Sequence, residues 1–73
     1  MTESYEDKLL KEAAKGEKNA QYDLARHYEI GFRLGFDFDD VNGMDADVYW
    51  YQKAAEQGHD EAQYFLAMHY IED

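Results

Sequence analysis

The sequence holds no cysteine and no proline. Without thiols there is no disulfide to staple the fold and no thiolate metal site, and the absence fits a reducing compartment. Without proline nothing removes a backbone N–H from a helix interior, which favours mostly helical structure. Basic residues are scarce, seven Lys and Arg against 17 Asp and Glu, for a net charge of −10. No apolar run approaches the ~18 residues of a membrane span. Met1-Thr2-Glu3-Ser4 lacks the basic start and apolar stretch of a signal peptide. A soluble, cytoplasmic, single-domain protein of residues 1–73 is the expectation. The only hydroxyl nucleophiles are Thr2 and Ser4, both N-terminal, and no glycine-rich phosphate loop is present. No catalytic residue, cofactor or metal site is expected.

The charge is unevenly placed. Residues 1–34 carry seven acids and six bases, a balance of −1, whereas residues 35–73 carry ten acids and only Lys53, a balance of −9. Such a half repels phosphate and anionic lipid, so direct nucleic-acid binding and membrane docking are not expected. It attracts a basic partner.

What the sequence has in abundance is repetition. Residues 11–28 and 53–70 are identical at ten positions 42 residues apart: Lys11/Lys53, Ala13/Ala55, Gly16/Gly58, Ala20/Ala62, Gln21/Gln63, Tyr22/Tyr64, Leu24/Leu66, Ala25/Ala67, His27/His69 and Tyr28/Tyr70. Self-similarity at a fixed period marks units that cannot bury their apolar faces alone and stack to do so.

Helical spacing and stop signals predict an all-α chain of four helices. The first runs from about Ser4, a capping residue, to Lys15, with a stripe of Leu9, Leu10, Ala13 and Ala14; Gly16 ends it. The second runs from about Lys18 to Ile30, with Ala20, Leu24, Ala25 and Tyr28 on one face and Gly31 as its stop. The third spans about Asp45 to Gln57 and is closed by Gly58. The fourth is capped by Asp60, with Gln63 at the capping-box position. These give a first hairpin at 4–31, an inserted loop at 32–44 and a second hairpin at 45–71. In the loop, Phe36 and Phe38 alternate with Asp37 and Asp39, which suits a short extended piece with both rings inward.

Trp50, Tyr51, Lys53, Ala54, Ala55 and Gly58, followed by Ala62, Leu66, Ala67 and Tyr70, form a pattern that resembles the Sel1-like repeat, a relative of the tetratricopeptide repeat. Gly16, Ala20, Leu24, Ala25, Tyr28 and Gly31 match the earlier copy. The resemblance implies two helix–turn–helix repeats stacked as a short α-solenoid, with about six extra residues between them. It implies protein–protein scaffolding, without chemistry or cofactor of its own. The structural repeat core is then Ala13, Gly16, Ala20, Leu24, Ala25, Tyr28, Trp50, Ala55, Gly58, Ala62, Leu66, Ala67 and Tyr70.

The remaining aromatics and acids are candidates for contact with a partner: Phe36, Asp37, Phe38, Asp39, Asp40, Asp45, Asp47, Tyr49 and Tyr51. Flat amphipathic rings beside carboxylates make good contact surfaces. A calcium loop does not fit this stretch. Counting from Asp37, the fifth position is Val41, the sixth Asn42 and the twelfth Val48, where oxygen, glycine and glutamate are needed. His27 and His69 are repeat-equivalent, which suits a scaffold role. The expected function is a non-catalytic interaction module whose acidic second half binds a basic protein surface, with a homodimer as a further possibility. The alternative is a small acidic inhibitor that mimics nucleic-acid phosphates, such as a phage-encoded blocker of a CRISPR or restriction system.

Overall fold

A computed structural model describes residues 3–71. Four helices follow one another: α1 (Tyr5–Ala14), α2 (Lys18–Arg33), α3 (Ala46–Glu56) and α4 (Asp60–Ile71), with no strand among the described residues. Each packs chiefly on its neighbours in sequence, α1 on α2, α2 on α3 and α3 on α4. The result is an elongated molecule with extents of 43 × 29 × 20 Å.

Local chemistry sets the helix ends. Asp7 N–H donates to Ser4 Oγ at 3.1 Å, and Glu6 and Asp7 occupy the first turn, where negative charge suits the helix dipole. Gly16 and Gly58 take φ of 97° and 84°, which lets the two residues after each helix bond back to its last carbonyls. Two expected signals sit elsewhere. Gly31 does not stop α2; the helix runs on to Arg33, and Gly35 (φ 94°) ends it, with Phe36 N–H bonding Gly31 C=O at 2.9 Å. Asp60 does not cap α4. His59 does so, its Nδ1 accepting from Ala62 N–H at 3.2 Å while its ring stacks on Tyr22. Gln63 is thereby free for another bond.

That bond is the clearest structural echo of the repeat. Gln63 Nε2 donates to Ala55 C=O at 3.0 Å, and Gln21 Nε2 donates to Ala13 C=O at 3.0 Å. Each gives a second donor to a last-turn carbonyl that also accepts from Gly16 or Gly58 N–H. Gln21 is buried, and its Oε1 also accepts from Gln57 Nε2 at 2.8 Å. Among the described residues, no buried side-chain polar atom lacks a partner.

The core has two parts, with α2 between them. On one side Leu9, Ala13, Ala20, Leu24, Tyr28 and Ala46 pack together, with Leu10, Phe32, Phe38, Val41 and Trp50 at their margin. On the other, Tyr22 and Ala25 meet Tyr51, Ala54 and Ala62, with Phe65 and Leu66 alongside. Leu24 and Ala25 thus serve different sides of α2. Small residues at Ala25, Ala54 and Ala62 let the helices approach closely.

Of the expected core, Ala13, Ala20, Leu24, Ala25, Tyr28 and Ala62 are buried, and Trp50, Ala55 and Leu66 are half-buried. Gly16 and Gly58 are exposed and act through the turn rather than through packing. Ala67 and Tyr70 are corrections. Both are exposed, Tyr70 at 66% against 7% for Tyr28, because α4 meets a helix on only one side. Ala14 is likewise exposed.

Candidate interaction site

Residues 34–45 join α2 to α3 and carry most of the expected contact residues. Asn42 (φ 53°) and Gly43 (φ 77°) form the tight turn their left-handed preference favours, with Val41 and Met44 exchanging backbone bonds at 2.8 and 3.0 Å. The two phenyl rings of this segment part company. Phe38 turns inward and lies over the notch at Gly31, edge to face with Tyr28 (4.9 Å) and Phe32 (5.2 Å). Phe36 is 61% exposed, so the expectation of two inward rings holds for one. The side-chain-free notch on α2 accepts a single ring.

With Phe38 anchored, Asp37, Asp39 and Asp40 remain exposed around it. They line an open hollow together with Glu6, Tyr28, Phe38, Val41 and Ala46. Glu6 belongs to α1, and nothing in its position near the N-terminus marks it as a neighbour of this loop. It is held in place: Tyr28 Oη donates to Glu6 Oε2 at 3.0 Å, and His27 Nε2 lies 3.4 Å from Oε1. Burial, then the Glu6 carboxylate, pushes the Tyr28 phenol up to about 12. The hollow joins carboxylates from two chain segments over a floor of Tyr28, Phe38 and Val41, and none of its lining residues is basic. An aliphatic stem can lie on that floor while its charged head meets the acids.

The α3 candidates lie apart from this hollow. Asp45 is exposed at the start of α3. Asp47 is half-buried, its Oδ1 accepting from Val48 N–H at 2.9 Å, and desolvation holds its carboxyl above the usual range. Tyr49 is half-buried against Trp50, with the Lys53 ammonium 5.5 Å from its ring centre. Tyr51 is a correction. It is 4% exposed, its ring stacks on Phe65 and its hydroxyl donates to Glu29 at 2.6 Å. Burial and that carboxylate push its phenol far up, so it holds α3 to α2 and α4 rather than meeting a partner.

A second concavity runs between α2 and α4, lined by Glu29, Arg33, Tyr64, Phe65, Met68 and His69. Its character is mixed, because α2 contributes Arg33 to the flank of the acidic half. Among the described residues no three His, Asp or Glu side chains are grouped to hold a metal ion, and no helix is long and apolar enough to cross a membrane. The chain matches no family model, no curated protein and no solved structure.

Proposed function

We propose that the protein is a non-catalytic interaction module, two Sel1-like hairpins stacked as a short solenoid, whose acidic hollow takes a basic segment of another protein. One observation carries this reading: Glu6, Asp37, Asp39 and Asp40 converge from two chain segments on an apolar floor. Coulombic attraction of this kind mainly sets the association rate and the choice of partner, while contact with Phe38 and the exposed Phe36 supplies affinity. The loop between α2 and α3 is then the recognition element, and the helices are its mount.

Affinity capture from cells that make the protein, with the natural chain and the Asp37→Asn/Asp39→Asn/Asp40→Asn variant as baits, is the test. The expected result is a captured protein that the variant binds more weakly and with less salt dependence. Equal capture by both baits, with the same response to salt, refutes the reading. If the captured protein is instead a nucleic-acid-binding enzyme that DNA displaces from the bait, the phosphate-mimicking inhibitor takes its place.

A further inference from the structure

Three helices carry the same four-residue frame: Tyr22-Asp23-Leu24-Ala25 on α2, Tyr51-Gln52-Lys53-Ala54 on α3 and Tyr64-Phe65-Leu66-Ala67 on α4. In each, a tyrosine and an alanine lie one turn apart on one face. The first two frames meet. Tyr22, Ala25, Tyr51 and Ala54 share one buried cluster, with the tyrosine rings edge to face at 5.9 Å. Gln57 bonds Gln21 and Tyr51 bonds Glu29, so these helices run antiparallel.

The third frame is open. Tyr64, Ala67, Met68 and Ile71, at helical spacing i, i+3, i+4, i+7, are all exposed, Tyr64 at 63% against 7% for Tyr22. The repeat-equivalent stripe on α2 is Tyr22, Ala25, Arg26 and Glu29. Where the covered face of α2 carries the charged Arg26 and Glu29 at its rim, the open face of α4 carries Met68 and Ile71. The outer face of α1 is polar instead, exposing Lys8, Lys11, Glu12 and Lys15.

We infer that α4 is a self-association surface on which two copies pair antiparallel about a two-fold axis, each Tyr64-x-x-Ala67 frame seated on the other. The stripe is uncharged, so it offers a charged partner nothing to read. It also holds both halves of a contact that α2 and α3 already make within one chain. The polar face of α1 disfavours head-to-tail stacking, so association closes at two copies. The net charge of −10 on each copy opposes the pairing, and salt relieves that repulsion. This response is opposite in sign to acid-to-base docking in the hollow.

Sedimentation velocity over a concentration series, at about 20 mM and about 500 mM NaCl, reads this directly, since the screening length falls from ~20 Å to ~4 Å. The expected result is a monomer–dimer equilibrium that tightens several-fold at the higher salt. Ala67→Glu is then monomeric while melting like the natural chain when dilute, because residue 67 is exposed. With no native cysteine, Ala67→Cys should form a disulfide-linked dimer on oxidation and Lys8→Cys should not. A monomer under all conditions overturns the inference and leaves the stripe to a different helix. So does a dimer that survives Ala67→Glu, one that grows into open chains, or one lost in the Asp37/Asp39/Asp40 variant, which would assign the interface to the hollow. That variant otherwise dimerises normally even if the proposed function fails.

Discussion

Gly31→Ala places helix propensity against packing, and the geometry decides between them. In an exposed helix interior the change stabilises by about 1 kcal/mol. Here the added Cβ would lie 2.5 Å from Phe38 Cε2 and 2.6 Å from Cζ, inside any real contact distance. Phe38 sits on a connecting segment, so the ring leaves rather than the helix bending. It then gives up burial of about 1.5–3 kcal/mol and its edge-to-face contacts with Tyr28 and Phe32, about 0.5–1.5 kcal/mol each. The net expectation is a loss of roughly 1.5–5 kcal/mol, a large share of the ~4–11 kcal/mol available to a domain this size. Urea unfolding followed by far-ultraviolet dichroism measures it. The decisive comparison is a double-mutant cycle with Phe38→Ala. Once the ring is gone, Gly31→Ala should become stabilising by about 0.5–1 kcal/mol. If the substitution has the same effect in both backgrounds, the notch is not occupied by Phe38 and the account of the hollow falls with it.

Two further perturbations test the frame that holds this site. Gln21→Leu should cost about 1–3 kcal/mol, because it strips a partner from the buried Ala13 carbonyl and from Gln57, whereas the repeat-equivalent Gln63→Leu should stay near 0.5 kcal/mol, since water can replace it; equal losses in chemical denaturation refute the difference in burial. Stability should be flat from neutral pH to ~9 and fall above about pH 10: the Tyr28 phenol ionises at 10.0 when unfolded but at about 12 when folded, so the unfolded state releases its proton first, for about 3 kcal/mol from Tyr28, and the raised Tyr51 phenol deepens the fall. Tyr28→Phe should make this slope shallower in melting curves while Tyr51 keeps part of it, and an unchanged slope would place the Tyr28 phenol elsewhere.

The repeat made the all-α character and four helices legible, because its glycines and alanines act through local rules. Ser4, Gly16 and Gly58 cap and close helices as their conformational preferences dictate. Gly31 was ambiguous. A glycine beyond an apolar stripe reads as a stop, yet here it is kept for the room it leaves, and only the fold brings Phe38 to it. Tyr51 misleads for a related reason: its neighbours on α3 are polar or half-exposed, and its burial depends on α2 and α4 both closing on it. The exposure of the loop acids could be read from composition. Glu6 could not, because its place at the hollow follows from the packing of α1 on α2 and its bond to Tyr28. Identity between repeats also hides a difference in surroundings, as Ala25 and Ala67 show.

The consecutive packing of α1 through α4 has a kinetic consequence. Each helix packs chiefly on its neighbours in sequence, so the loops to be closed are short ones, little loop-closure entropy stands in the way of folding, and rates in the microsecond-to-millisecond range are expected. No prolyl bond has to isomerise and no disulfide has to find its partner. On the ribosome, α1 and α2 can dock while α4 is still being synthesised, and the nascent chain then has a platform on which each later helix settles as it emerges.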